Sequence, residues 1–453
     1  IKPSMDNLYM DMHFFFVPNR LVWDNWEKFM GAQTNPGDST DFLVPQIQGF
    51  TAPDETAYTN SIFDYMGIPP VQGLGVDFSA LPFRAYNLIW NEWYRDQNLQ
   101  DSVTVNTGDT DTAANYELLK RGKRHDYFTS SLPFPQKGEP VSLNLAGNAP
   151  IGTDVNQNDE LGVRITTNDS TAKLNTNTQY LSLSGSPIGQ ENELFAVLDN
   201  VTAVTINQLR QAFQLQRFLE RDARSGTRYI EVIKAHFGVT NPDFRLQRPE
   251  YLGGNHADIN QTTIAQTTQT LAGSTPQGNL AAFGVGSTNG RVFNKSFTEH
   301  GYIIGVASVY SDLTYQQGLN RMWQRETRVD YFWPVFAHLG EQEIFNSEIY
   351  ANGDANDSAV FGYQERYAEY RYSPNRISGL FRSSNSASLD VWHYAEDFAQ
   401  LPVLSSEFIE NNAPVKRNSA VPLEPDLICD FNFDLKCVRP IPMYGTPGFV
   451  DHF

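Results

Sequence analysis

Between Asn7 and Met30 the chain reads NLYMDMHFFFVPNRLVWDNWEKFM, and this block limits the possible folds more than any other. Tyr9, Phe14, Phe15 and Phe16 precede a break at Pro18 and Asn19, after which Trp23, Trp26 and Phe29 recur at helical spacing. An aromatic strand followed by a helix with two tryptophans carries more apolar area than a surface loop can leave in water. The block therefore belongs in a core or between copies of the chain, and Trp23 and Trp26 are candidates for the second role.

The remaining sequence describes a folded, mainly β protein. Its 453 residues suffice for two or three ordinary domains or for one large β domain with insertions. With 40% hydrophobic and 13% aromatic residues, a core is available. No apolar run approaches the ~18 residues of a membrane-spanning helix, so membrane insertion is not expected. Because the first residue is Ile1 and not Met, localisation signals at that end are unreadable.

Phe297 to Val309 and Tyr367 to Tyr372 have the β-branched and aromatic content of strands. Thr205 is placed to cap a helix in which Ile206, Leu209, Phe213 and Leu219 fall near helical spacing before Gly226. A second helix is predicted from about Thr227 to Gly238, and the two form a helical hairpin. Between Leu145 and Thr202 Trp and Cys vanish while Asn, Thr, Ser, Gly and Asp take over. Asp154, Asp159, Glu160 and Asp169 belong to an acidic surplus there, opposed only by Arg164 and Lys173. Residues 145–202 thus read as an insertion with some β character, as in QYLSLSGSPIG, splitting a discontinuous core of residues 1–144 and 203–453. Gln261 to Asn279 reads as a long polar loop.

Near the end, Leu427, Cys429, Phe431, Phe433, Leu435 and Cys437 alternate with Asp430, Asn432, Asp434 and Lys436. That pattern predicts a strand with one buried face and two buried, reduced thiols. Eight residues of strand hold the sulfurs roughly 27 Å apart, far beyond the ~7 Å Cα separation a disulfide tolerates. A bridge between subunits is the competing reading. Reduced thiols fit assembly in a reducing cytoplasm.

Motifs for chemistry are missing: the sequence contains no HExxH, GxSxG, P-loop or CxxC, and GVGSTNG at Gly284 lacks dinucleotide spacing. The eight histidines follow no ligand spacing, and Asp354 to Asp357 lacks the glutamate of a calcium loop and reads as a turn. Glu341 and Glu343 resemble a glycosidase pair no more than any two neighbouring acids would. Neither an enzymatic role nor a cofactor is expected.

A net charge of −19 confines any nucleic-acid contact to local patches. KRGKRH supplies Lys120, Arg121, Lys123 and Arg124 just before Tyr127 and Phe128, and Lys416, Arg417, Lys436 and Arg439 form a looser group. Cations beside rings suit single-stranded DNA, and the same residues equally fit a solvated turn or a salt-bridge patch between subunits. Arginine beside aromatics recurs in RMWQRETRVDYFWP and EYRYSPNRISGLFR, making Arg321, Trp323, Arg328 and Trp333 interface candidates. Core packing with snorkelling arginines is the alternative.

Several long strings carry a resemblance. MHFFFVPNRLVWDNWEKFMG, FRAYNLIWNEWYRDQNLQ, KRGKRHDYFTSSLPFPQKG and FRLQRPEYLGG, then DLTYQQGLNRMWQRETRVDYFWPVFAHLG and CVRPIPMYGTPGFVDHF, resemble in this order the major capsid protein of the Microviridae, in its gokushovirus branch. The resemblance implies an eight-stranded antiparallel jelly roll with long insertion loops and a few helices. It also implies a T=1 icosahedral shell enclosing circular single-stranded DNA, made in the bacterial host cytoplasm and resident in the virion. Residues 145–202 stand where that branch carries protrusions that meet a host receptor, with Asp154, Asp159, Glu160 and Asp169 facing it. A separate small basic DNA-binding phage protein is an expected partner of so acidic a chain. The main rival, a β-rich carbohydrate-binding or glycoside-cleaving protein, predicts a monomer with a groove of exposed rings and paired carboxylates.

Overall fold

The computed structural model describes the chain apart from residues 52–57, 71–74, 140, 142–150, 154–160, 166–169, 177–180, 185–193, 197–205, 227–228, 241–246, 271–276, 422, 424 and 440–453. Within 151–196 it gives strands and their backbone pairing. The cap at Thr205, the start near Thr227 and most of the string from Cys437 to Phe453 lie outside the described residues.

The aromatic block forms the middle of the largest sheet. Strand β1 (Leu8–Pro18) is followed by β2 (Gln46–Phe50), β3 (Val76–Ser79), β4 (Ile151–Thr153), β5 (Leu161–Ile165), β6 (Ser170–Thr176), β7 (Leu181–Ser184) and β8 (Leu194–Ala196). After these come β9 (Glu250–Ala265), β10 (Leu280–Val285), β11 (Gly301–Ser311), β12 (Glu341–Phe345) and β13 (Val360–Glu365). The largest sheet has the order β10-β9-β1-β11, and all its pairings are antiparallel. Among the described residues the other strands pair as β2-β3, β12-β13, β4-β8 and β5-β6-β7. The protein is thus mainly β, with few helices.

The unbroken run Phe14–Phe15–Phe16–Val17 has a direct cause: β1 is covered on both faces, and a strand buried on both sides has no polar alternation to show. Phe15 meets Tyr94 and Tyr251 on one face, while Phe14 meets Phe293 and Phe433, and Phe16 meets Phe297, on the other. The pairing with β9 slips by one residue between Phe14 and Phe15, beside Gly253. Gly253 has φ +150°, and a Cβ there would lie 2.6 Å from the Val292 carbonyl oxygen, so the bulge demands glycine.

Beneath the inner face lies helix α1 (Leu81–Ile89), which is buried nearly all round. Two of its buried residues are polar. Asn87 donates to the carbonyls of Thr104 and Asn115. Arg84, fully buried, pairs with buried Asp111 at 2.6 Å and donates to the carbonyl oxygens of Val22, Gly108 and Thr110. Tyr116 and Asn115 donate to the same Asp111 carboxylate, so the ion pair is fully hydrogen-bonded. A second core gathers Tyr127, Phe128, Tyr315, Ile344, Ile349, Phe361 and Phe408.

The helical hairpin is present as α2 (Ile206–Ser225) and α3 (Tyr229–Phe237), joined by Phe218 against the His236 ring and by His236 Nε2 2.7 Å from Asp222. Leu209 and Phe213 on α2 stay exposed. The excursion at 151–196 is β, as expected.

Four expectations need correction. Tyr367–Tyr372 is not a strand: Tyr367 is left-handed (φ 64°) and starts a 3-10 turn, Ala368–Tyr370, so pairing with β12 stops at Glu365. The polar stretch from Gln261 extends β9 to Ala265, paired with β10, because Thr-rich sequence suits a hairpin wet on both faces. After Pro18 the predicted helix is reduced to a 3-10 turn, Asn19–Leu21, and a single α-turn, Trp26–Phe29. Leu427–Cys437 belongs to no strand, and Cys429 and Cys437 are exposed free thiols, because alternation specifies a strand only where a sheet edge accepts it.

Candidate functional site

The basic segment crosses the end of the main sheet, where acids from distant parts of the chain await it. Arg121 Nη1 lies 2.9 Å from Asp11 Oδ2 and donates to Ser308. Arg124 approaches the same carboxylate at 3.4 Å, donates to the Tyr310 hydroxyl and lies 4.1 Å over the Tyr310 ring. Lys123 is buried, 2.9 Å from Glu396 and above the Phe408 ring. Lys120 reaches Glu410 at 3.5 Å with its side chain half exposed. Lys123 therefore holds the protein together from inside, and Tyr127 and Phe128, expected to stack on bases, are core residues.

Asp11 is the hub of this cluster, since His256 Nδ1 also reaches it at 2.8 Å. Burial alone would raise its carboxyl, but hydrogen bonds from His256 and Arg121 and the charges of Arg121 and Arg124 outweigh burial and hold it at about 2. A carboxyl depressed by folding adds stability that is complete above its unfolded value, ~4, and is lost as pH falls through about 2. Asp11→Asn is expected to be less stable than the parent above that range, with the gap closing as pH falls toward 2. Urea midpoints across a pH series read this directly, and a gap indifferent to pH would refute it.

The looser basic group is divided. Arg417 donates to the carbonyls of His393 and Ala395 and lies 3.6 Å from Asp390, so it braces the same His393–Glu396 segment that Lys123 holds. Lys416 pairs with Asp426 at 3.3 Å. Lys436, 3.9 Å from Asp434, and Arg439 are exposed on the same strandless stretch that carries the two thiols.

The interface candidates also separate. Trp23 has 0% exposure inside the chain's own core, where its Nε1 donates to Asp109. Trp26 is partly buried, edge-on to Trp23 and tilted against Phe29. Trp23 therefore has no surface to offer another copy: helical spacing announces burial without saying by which chain. Arg321, Trp323, Arg328 and Trp333 instead lie on one stretch of chain that carries the 3-10 turns Arg321–Trp323, Arg328–Asp330 and Pro334–Phe336.

Ions support this stretch from below. Arg321 pairs with buried Glu348 at 3.1 Å, lies over the Phe345 ring and donates to the Glu343 carbonyl. Burial raises the Glu348 carboxyl, opposed by the charge of Arg321. Arg325 pairs with Glu369 and covers the Tyr370 ring at 4.2 Å. Trp333 donates from Nε1 to the Arg328 carbonyl, and the Arg328 guanidinium covers its ring at 5.3 Å. Above this footing Trp323 is 68% and Val335 76% exposed, with Phe332, Tyr331 and Leu339 also uncovered. These uncovered side chains are large and apolar, and all lie between Trp323 and Leu339 in the sequence.

Asp154, Asp159, Glu160 and Asp169 lie outside the described residues. Glu341 is engaged by Arg224, which also bonds Gln364, so it is not poised as one half of a carboxylate pair. No described helix is long and apolar enough to cross a membrane. Sequence reasoning missed Trp93 and Tyr251, whose half-exposed rings flank the basic segment. The WNEWY string was the available signal for the first of them.

Comparison with known proteins bears on all of this. Residues 1–449 match the family model described as capsid protein (F protein). The chain is 50% identical over 471 residues to capsid protein VP1 of Bdellovibrio phage phiMH2K, covering all of this chain and 87% of that protein. It is 41% identical over 527 residues to capsid protein VP1 of Chlamydia phage 1, covering 99% of this chain and 88% of the relative. Capsid protein VP1 of Spiroplasma virus 4 is 38% identical over 484 residues, at 99% and 87%. A buried ionic scaffold carrying an uncovered aromatic ridge is what a shell subunit needs, and the chain belongs to the capsid (F) protein family of the Microviridae.

Proposed function

We propose that this chain is the major capsid protein of a gokushovirus-type phage, self-assembling into a T=1 shell around circular single-stranded DNA, and that residues 145–202 mediate host attachment. The observation that carries the reading is the exposed ridge from Met322 to Leu339, apolar in character and fixed by buried ion pairs. On an isolated chain such a surface is a liability, whereas closed symmetry buries it against neighbouring copies. The four-stranded sheet would form one wall of an eight-stranded jelly roll, the usual wedge of such shells.

The insertion suits an outward knob because its strands pair among themselves, with β4 and β8 side by side where the excursion leaves and returns. Its acidic stretches, including Asp154, Asp159, Glu160 and Asp169, would face the receptor. Exposed cations, among them Lys120, Arg124, Lys436 and Arg439, would face the genome, helped by a small basic phage protein that offsets the −19 charge. Assembly would occur in the host cytoplasm.

Negative-stain electron microscopy of the protein expressed with its neighbouring phage genes tests this, beside a variant with residues 145–202 replaced by a short Gly-Ser linker. The expected result is closed particles from both, with surface knobs missing from the variant. Monodisperse monomers from both would sink the shell reading. Closed particles with unchanged knobs would sink the placing of the attachment site.

A further inference from the structure

The stretch Leu427–Cys437 has the pattern of a strand and no strand to join. Leu427, Phe431, Phe433 and Leu435 alternate with Asp430, Asn432, Asp434 and Lys436, and all four apolar side chains are exposed, Phe433 to 61% and Leu435 to 68%. The Phe431 and Phe433 rings stack 6.2 Å apart at 8°, close to the ~6.8 Å two-residue repeat of a strand. The two rings therefore already share one face. Among the described residues no backbone hydrogen bond reaches this stretch, and its ring contact with the rest of the chain is Phe433 edge-on to Phe14 at 5.9 Å.

One sheet edge is equally bare. In the order β10-β9-β1-β11, strand β11 pairs with β1 alone. On its outer side the Val309 carbonyl accepts from Asn411 Nδ2. Alternate residues of a strand turn their N–H and C=O groups to the same side, so Ile303, Gly305 and Ala307 aim theirs outward with Val309, and no described backbone group bonds to them there. Exposed edges are normally blunted by charge, by proline or by short length. Strand β11 has 11 residues, GYIIGVASVYS, with neither charge nor proline. At the opposite edge β10 has 6 residues, and Ile1 already exchanges two hydrogen bonds with the Ala282 main chain, at 3.0 and 2.7 Å.

We propose that Leu427–Cys437 is an arm that adds as a further strand to the outer edge of β11 in a second copy of the chain. Its Cys429, Phe431, Phe433, Leu435 and Cys437 then lie on the apolar ground beside that edge, where Ile303 and Phe297 are uncovered. Length agrees with pattern, since β11 is the longest described edge strand and has as many residues as Leu427–Cys437. A strand added this way satisfies its backbone on the receiving edge and its apolar side chains on the receiving sheet.

A second copy is the fitting occupant because one chain carries both the arm and the edge. Its own tail crosses the face of β1 at Phe14 and leaves the side of β11 open. Exchange from copy to copy around a closed symmetry axis fills every edge and every arm. A strand from an unrelated protein would fill the edge and leave the arm in water. The inference rests on the self-assembly reading and adds a contact separate from the stretch around Trp323.

The native thiols report on it. Cys429 and Cys437 are exposed in the single chain, so maleimide is expected to label both freely before assembly. In closed particles labelling is expected to slow about tenfold or more, because both thiols share the covered face of the arm. Ala307→Cys then locates the receiving edge. A bismaleimide spanning about 10 Å, some three residues of strand, is expected to join position 307 of one copy to Cys429 or Cys437 of another, giving a dimer band whose peptides mass spectrometry identifies. Joining within one copy would overturn the exchange between copies, and tails joined only to one another, or not at all, would overturn the β11 assignment. Closed particles whose thiols react as fast as those of the unassembled chain would overturn the proposal and leave the shell reading standing. A wild-type chain that stays monomeric beside its partner proteins would overturn both. Hydrogen exchange on wild-type particles decides the matter if the variant fails to assemble: the amides of Gly301–Ser311 are expected to slow on assembly, and an unchanged rate would overturn the edge assignment.

Discussion

Replacing Arg84 with methionine is expected to destabilise the unassembled protein by about 3–5 kcal/mol, the range for removing one partner of a buried ion pair. Asp111 would be left charged at a site with no exposure, and the carbonyls of Val22, Gly108 and Thr110 would lose their donor. These carbonyls belong to the turn after β1 and to the loop that wraps α1, so the loss reaches both sides of the first core. Asp111→Asn is expected to cost less, because the amide keeps an acceptor for the Tyr116 hydroxyl. Urea unfolding followed by tryptophan fluorescence measures both. A loss below about 1 kcal/mol for Arg84→Met would mean that water reaches the pair.

The second large effect falls on assembly and spares the fold. Trp323→Asp combined with Val335→Asp places two charges on the ridge, where both side chains are mostly in solvent in the single chain. Monomer stability should change little, since exposed positions away from caps and ion pairs usually shift it by about 0.5 kcal/mol or less. Burying both charges at a contact would remove at least ~2 kcal/mol per hot-spot residue, roughly a thousandfold for the two together. Sedimentation should therefore show folded, unassembled protein with an unchanged urea midpoint. Particles formed at the parent's yield would show that the ridge faces solvent in the shell.

Legibility in the sequence followed the range of the interactions involved. The central strand was readable because burial of both faces of β1 writes itself as Phe14–Phe15–Phe16–Val17. Helix α2 was readable for a similar reason, from apolar spacing and Gly226, all local signals. Lys123 was not: four neighbouring cations look solvated until Asp11, Glu396 and Glu410 arrive from elsewhere. Trp23 announced burial, and only the packing of β1 and α1 around it shows that the burial is internal. Alternation from Leu427 to Cys437 states a preference for a sheet edge and says nothing of which edge. Tyr367 shows the reverse case, where β-prone residues take a left-handed turn because the Gln342 side chain accepts from its backbone N–H and the ladder has ended.

The position of β1 in its sheet also sets a timetable for synthesis. Its partners β9 and β11 begin at Glu250 and Gly301, so about 230 residues must follow Pro18 before the first neighbour exists. At ribosomal rates of ~5–20 residues per second that is on the order of tens of seconds. Throughout that interval the most aromatic of the described strands stands outside the ribosome without its sheet. Such high contact order makes folding slow and leaves the nascent chain open to sticking to its siblings.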